Sequence, residues 1–76
     1  MKRFNLALFR MRQGLTQGQM AQKLAISVSH YVGIENGFAD PSYKVLCKFR
    51  DAFKDATKQD IFEIFKKEER EAGKVE

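Results

Sequence analysis

The sequence has little of what several protein classes depend on. Its 76 residues include one cysteine, one proline and no tryptophan. A single cysteine excludes an internal disulfide framework and is typical of a reducing compartment. No apolar run approaches the roughly 20 residues of a membrane span, and the N-terminus lacks the apolar core of a signal peptide. We therefore expect a soluble, cytoplasmic protein that does not enter a membrane.

Residues that build common catalytic and metal sites are also scarce. One histidine and one cysteine cannot form a zinc site by themselves, and the chain has no glycine-rich phosphate loop. No recognisable motif places a pair of carboxylates. We therefore expect no enzyme activity and no bound metal, cofactor or small-molecule ligand.

Charge of one sign is missing from two parts of the chain. Residues 1 to 23 carry five basic side chains, among them Lys2 and Arg3, and no acidic one. Residues 24 to 43 carry no lysine or arginine, and the net charge of the whole chain is +4. A basic N-terminal third is typical of a surface that faces a phosphate backbone. An ordinary solvated surface can show the same imbalance.

The residues that are present favour helices. Apolar residues make up 43% of the chain, seven of them are phenylalanines, and no stretch alternates as a strand would. We predict one domain over residues 1 to 69, followed by a polar, frayed tail over residues 70 to 76. A domain of this length is near the lower limit at which an apolar core suffices for stability.

Two short helices with start signals occupy the middle of the chain. Thr16 and Gln19 form a capping box, which predicts a helix from Gln17 to about residue 24. Ser27 is the next N-cap, and Asn36 and its following glycine end the second helix. Helices of about two turns are too short to be stable alone, so they must share a core with their neighbours. This arrangement is a helix-turn-helix pattern.

Three further helices flank this motif. The first spans residues 4 to 13, with Leu6 and Phe9 on its apolar face and Gly14 after its end. The fourth follows a cap at Asp40 or Ser42, and its apolar face carries Val45, Leu46, Phe49 and Phe53. The fifth begins after Thr57, where Asp60 completes a capping signal, and runs toward Glu69.

Many residues from position 4 to about position 54 resemble the lambda-repressor-like, XRE-type helix-turn-helix regulators in type and spacing. They are Leu6, Phe9, Arg10, Gly14 to Gln17, Met20, Ala21, Lys23, Leu24, Ser27, Ile34 to Gly37, Pro41 and Ser42. The resemblance implies an all-α, compact five-helix lambda-repressor-like domain with a central helix-turn-helix. It also implies sequence-specific binding of double-stranded DNA by a small transcriptional regulator, in particular a repressor.

The resemblance also implies which residues contact DNA. The second helix of the motif, about residues 28 to 36, would enter the major groove. The residues expected to contact base edges are Val28, Ser29, Gly33 and His30. The residues expected to contact phosphates are Gln17, Gln22, Lys23, Asn36 and Lys44, together with the backbone amides of residues 37 to 39.

The family also pairs its first helix with the end of the recognition helix. Arg10 and Glu35 stand at the two positions, so we expect an ion pair that locks the recognition helix to the scaffold. Two departures from the family are visible. Many members carry arginine, lysine or glutamine where this chain has valine, serine and glycine, and Ala25 stands where the turn usually has glycine.

Two alternatives remain open at this point. The apolar residues of the fifth helix spread over more than one face, which predicts a homodimer that sets two recognition helices about 34 Å apart. The predicted interface consists of Ile61, Phe62, Ile64 and Phe65, although the same four residues could all belong to the domain's own core. The lack of basic residues from 24 to 43 favours a different function, a protein-interaction adaptor of the anti-repressor or antitoxin type with weak or no DNA binding.

Overall fold

The computed structural model describes residues 2–67 and confirms the predicted all-helical fold. The five helices are α1 (Phe4–Arg12), α2 (Gln17–Lys23), α3 (Val28–Asn36), α4 (Tyr43–Ala52) and α5 (Lys58–Phe65). The prediction that α5 runs toward Glu69 is wrong, because Lys66 leaves the helix with an extended backbone, φ −69° and ψ 134°. Glu69 and the predicted tail lie outside the described residues.

Four of the five helices begin at a side-chain cap that the sequence predicts. The caps are Thr16 for α2, Ser27 for α3, Ser42 for α4 and Thr57 for α5. Asp40, the alternative cap for α4, instead accepts a hydrogen bond from Arg3. Each cap satisfies a backbone amide that the first helical turn would leave without a partner. The starting points of these helices are therefore set by residues within the same turn.

Four phenylalanines join α1, α4 and α5 into one half of the core. They are Phe9, Phe49, Phe53 and Phe65, and their contacting rings have centroids 4.9–5.2 Å apart. Two of the pairs, Phe9 with Phe53 and Phe49 with Phe65, meet edge to face. Each such pair contributes about 0.5–1.5 kcal/mol beyond the burial of its area. The cluster fixes α1 to α4 and α5.

The helix-turn-helix forms the other half of the core. Its fully buried apolar side chains are Met20, Ala21, Leu24, Tyr31 and Ile34, and Leu6 of α1 packs with them. Ala21 is small enough for α3 to approach α2 closely. Because both helices bury their apolar faces against each other and against α1, the outer sides of α2 and α3 remain free to face a ligand.

The turn between α2 and α3 contains a residue in the left-handed region. Ala25 has φ 55°, and within the described residues it is the only one other than glycine with positive φ. Its amide donates to the carbonyl of Gln22 at 3.1 Å, and the amide of Ile26 donates to that of Ala21 at 3.0 Å. These bonds close α2 and hold Ala25 in a conformation that costs an L residue roughly 1–2 kcal/mol.

Most of the apolar residues of α5 pack against the domain's own core. Phe65 is 8% exposed, and Ile61 and Ile64 pack against the core. Phe62 is 68% exposed. Residues 61, 64 and 65 fall on one side of a helix, whereas residue 62 falls outside that side. The assignment of Phe65 to a dimer interface is therefore wrong, and Phe62 is the residue of the predicted set that α5 leaves available.

Candidate nucleic-acid interface

The first turns of α2 and α3 lie side by side at the surface. A Cβ atom on Gly18, in the first turn of α2, would lie 4.0 Å from a methyl group of Val28, the first residue of α3. The hydroxyl of Ser27 accepts the amide of His30 at 3.1 Å and so begins α3 at the same surface. The two helix starts therefore form one face, which we call the recognition face.

Three of the four predicted base-contacting residues lie in the exposed first turn of α3. Val28 is 50% exposed, and Ser29 and His30 are exposed as well. Gly33 lies one turn further along and is half-buried. A Cβ there would meet the Cβ of Ala39 at 3.6 Å, so this side of α3 faces the segment that follows it and not open solvent. The exposed turn offers methyl groups, a hydroxyl and an imidazole for contacts with base edges.

The predicted phosphate-contacting residues differ from one another in how exposed their side chains are. Gln22, Lys23 and Lys44 are exposed, and Asn36 is half-buried at the end of α3. Gln17 is half-buried, and its side-chain amide donates to Oε1 of Glu35 at 3.3 Å. Its side chain is thus held by the protein in this structure.

The backbone amides of residues 37 to 39 were expected to bind phosphate, and this expectation is wrong. The amide of Gly37 donates to the carbonyl of Ile34, and the amides of Phe38 and Ala39 both donate to the carbonyl of Gly33. Gly37 has φ 86° and ends α3 in the left-handed conformation. Because these amides satisfy the last carbonyls of the helix, they are not free to bind a ligand.

A buried carboxylate joins α1, α2 and α3 behind the recognition face. Glu35 is 1% exposed and accepts two hydrogen bonds from the guanidinium of Arg10, at 3.1 and 3.0 Å. A third N–H of Arg10 donates to the carbonyl of Leu15 at 2.9 Å. With the bond from Gln17, Glu35 holds the end of α3 against both preceding helices. We call Arg10, Glu35 and Gln17 the Glu35 cluster.

The electrostatics of this cluster favour the charged pair. The hydrogen bond with Glu35 raises the pKa of Arg10 above its ordinary value, although partial burial opposes it. Tyr31 is fully buried beside the pair. Its burial, and then the charge of Glu35, raise the pKa of its phenol well above the ordinary value, so the phenol stays neutral. The hydrogen bond therefore favours the positively charged form of Arg10 beside the carboxylate.

Comparison with known protein families identifies the family to which this chain belongs. A family model described as "Helix-turn-helix" matches residues 6–54, which is more than half of the chain. The chain belongs to the XRE/lambda-repressor-like helix-turn-helix family. This is a family of DNA-binding regulatory domains and not of enzymes. No curated protein and no solved structure matches the chain. None of the helices described within residues 2–67 is long and apolar enough to span a membrane.

In this helix-turn-helix domain, two of the five N-terminal cations belong to the interior. Arg10 is held by Glu35, and Arg3 is 4% exposed. The expectation from the sequence that Arg3 belongs to a basic surface facing phosphate is wrong. Lys2, Arg12 and Lys23 are the exposed members of the set. The basic surface is accordingly smaller than the sequence predicts.

Arg3 ties three parts of the helix-turn-helix domain together. Its guanidinium donates to the carbonyls of Ile34 at 2.6 Å, Ala39 at 2.9 Å and Phe65 at 2.8 Å. It also donates to the carboxylate of Asp40 at 2.9 Å. Arg3 thereby fixes the end of α3 to the end of α5. Its bonding partners lie 31 to 62 positions away, so no local sequence signal could have found this role.

The segment after α3 is also held by a residue that follows α5. Lys67 donates to the carbonyl of Gly37 at 3.4 Å and lies 3.5 Å from Asp40. The hydrogen bond from Arg3, and then the charge of Lys67, lower the pKa of Asp40. Two aromatic side chains of this region are almost fully exposed, Phe38 at 87% and Tyr43 at 80%. Neither was expected from the sequence to belong to the site, although both lie between Asn36 and Lys44.

Proposed function

We propose that the protein is a transcriptional repressor that binds a specific sequence of double-stranded DNA. The observation that carries this proposal is the exposed first turn of α3, a helix whose other end the Glu35 cluster fixes to α1 and α2. A helix presented in this way can enter a major groove without rearranging its scaffold. In this proposal α3 is the recognition helix.

The proposed contacts divide between reading and positioning. Val28 contacts a thymine methyl, and Ser29 and His30 form hydrogen bonds with base edges. Gly33 is not among these contacts, because its side of α3 faces Ala39. The phosphate contacts come from Gln22, Lys23, Asn36 and Lys44, and from Gln17 where its amide turns from Glu35 to a phosphate. Contacts of this second kind set the register on the duplex and carry no sequence information.

A fluorescence-anisotropy titration of a labelled, mixed-sequence duplex tests the proposal. Lys23 and Lys44 are the two lysines expected at phosphates. Two such contacts predict that affinity falls about tenfold when salt rises from about 50 to about 200 mM, because each one releases condensed counterions. Lys44→Gln is expected to reduce the slope of log affinity against log salt by about one unit.

Lys54→Gln is the matched control for this experiment. Lys54 is exposed in the segment between α4 and α5, and the substitution removes the same charge. It is expected to leave the slope unchanged. Equal effects of the two substitutions would mean that binding reflects net charge alone and not a defined face.

A second candidate function is the protein-interaction adaptor. It is favoured by one observation: the exposed first turn of α3 carries no lysine or arginine, only Val28, Ser29 and His30. A folded protein that fails to bind any duplex at low salt would support the adaptor and contradict the repressor.

We further propose that the repressor acts as a homodimer on an inverted repeat, with Phe62 of each copy near the two-fold axis. An apolar side chain that is 68% exposed is the part of α5 that a second copy would cover. Sedimentation at micromolar concentration is expected to show a dimer for the native chain and a monomer for Phe62→Glu. Met11→Glu places the same charge at an exposed apolar position of α1 and should remain a dimer. A native chain that sediments as a monomer contradicts the homodimer.

A further inference from the structure

A groove of about 700 Å³ opens on a side of the domain that the proposed function does not use. It lies between the C-terminal end of α1, the segment joining α4 to α5, and α5 itself. Its floor is apolar and consists of Phe9, Phe53 and Ile64, which are partly buried against the core. A cavity of this size and lining is in the range that binds ligands or the anchoring side chains of a partner.

The rim of the groove is acidic. It carries the carboxylates Asp51, Asp55, Asp60 and Glu63 against the cations Arg12 and Lys54, which is a net charge of −2. We call the whole feature the acidic groove. Asp60 is engaged in the capping box of α5, and Asp51 lies 3.5 Å from the guanidinium of Arg50.

Two of the rim carboxylates have no such engagement. Within residues 2–67, the side chains of Asp55 and Glu63 form no hydrogen bond or ion pair. They stand at the edge of an apolar floor with their charges open to a partner. An apolar surface beside free negative charge is complementary to a partner that offers apolar groups and positive charge together.

Charge excludes three other occupants of this surface. DNA is repelled by a groove of net negative charge. A second copy placed across a two-fold axis would bring the same four carboxylates against each other, because such an interface joins identical patches. The remaining C-terminal residues 68–76 carry four glutamates against one arginine and one lysine, so they share the sign of the groove.

We propose that the acidic groove binds a basic, amphipathic helical segment of a partner protein. Apolar side chains of the partner pack on Phe9, Phe53 and Ile64, and its lysines or arginines pair with Asp55 and Glu63. This is the helix-in-groove mode of recognition, in which apolar anchors at helical spacing supply affinity and flanking charges supply orientation. The proposal goes beyond the repressor function and does not depend on DNA binding.

Amide chemical shifts, measured by NMR on the full chain without DNA, test the proposal. The probe is a synthetic helical peptide with leucines on one face and lysines on the other. One comparison peptide has glutamate in place of each lysine, and a second has the same composition in a scrambled order. Only the basic amphipathic peptide is expected to bind saturably, with shifts concentrated at the amides of residues 9, 53 to 56 and 63 to 64.

Two double variants with the same change in net charge locate the site. Asp55→Asn with Glu63→Gln removes the two free carboxylates. It is expected to weaken binding of the basic peptide about 2- to 25-fold, since one exposed ion pair contributes about 1.5- to 5-fold in affinity. Leu8→Lys with Met11→Lys raises the net charge equally on the exposed outer side of α1. This control also removes the competing apolar surface there, and it is expected to change binding less than twofold.

Several outcomes would overturn the proposal. If both double variants weaken binding of the basic peptide equally, the effect is due to net charge. If the acidic peptide binds as tightly as the basic one, the carboxylates have no role in binding. Shifts confined to another surface would place the site elsewhere. If the double carboxylate variant loses its fold by circular dichroism, Glu63→Gln alone replaces it, with an expected weakening of about 1.5- to 5-fold. Because DNA is absent throughout, failure here leaves the repressor function untouched.

Discussion

Replacing Arg10 with methionine is expected to lower the free energy of unfolding by about 3–5 kcal/mol. The carboxylate of Glu35 is 1% exposed and receives two of its three hydrogen bonds from Arg10. Without them a buried charge loses its counter-ion. A domain of this size has a total stability of only about 4–11 kcal/mol, so the melting temperature should fall by roughly 15–30 °C. Thermal denaturation by circular dichroism measures the change.

The double variant Arg10→Met with Glu35→Leu is the control for this prediction. Replacing both members of a buried ion pair by apolar groups is often neutral or stabilising. The double variant should therefore recover most of the stability that the single variant loses. If its recognition face is intact, the double variant should bind DNA with the affinity of the native chain. A melting temperature unchanged by Arg10→Met alone would mean that the pair contributes nothing to the fold.

Replacing Arg3 with methionine is expected to lower the free energy of unfolding by a similar amount, about 3–6 kcal/mol. The guanidinium donates two buried hydrogen bonds, to the carbonyls of Ile34 and Phe65, and hydrogen bonds that involve a charged group contribute about 1.5–3 kcal/mol each. Water can replace the partly buried bonds to Ala39 and to the exposed carboxylate of Asp40, so these add little to the sum. The last turn of α3 should also exchange its amide hydrogens faster.

Arg12→Met is the matched control, because Arg12 is an exposed arginine of the same N-terminal region. This substitution is expected to lower the free energy of unfolding by less than about 1 kcal/mol. Asp40→Asn tests the contribution of the carboxylate separately from that of the carbonyls. It should lower the free energy of unfolding much less than Arg3→Met does, because the three hydrogen bonds to carbonyls remain. Similar melting temperatures for Arg3→Met and Arg12→Met would contradict the role of Arg3 as a tie between α3 and α5.

The sequence alone determined where the helices begin and which family the chain belongs to. Thr16, Ser27, Ser42 and Thr57 each start a helix through a hydrogen bond to an amide three positions away, so local residues suffice to predict the caps. The apolar spacing within each helix is equally local. The Arg10 and Glu35 positions were predicted to pair from the family resemblance, and the two side chains do lie within hydrogen-bond distance.

Only the tertiary structure decided which cations and which apolar side chains are free to act. Arg3 appears in the sequence as one of five N-terminal cations, yet carbonyls up to 62 positions away draw it into the interior. The core, and not the sequence of α5 by itself, selects Phe65 for burial and leaves Phe62 exposed. The physical reason is common to both: a helix start depends on neighbours within one turn, whereas burial depends on groups that approach only when the whole chain has folded.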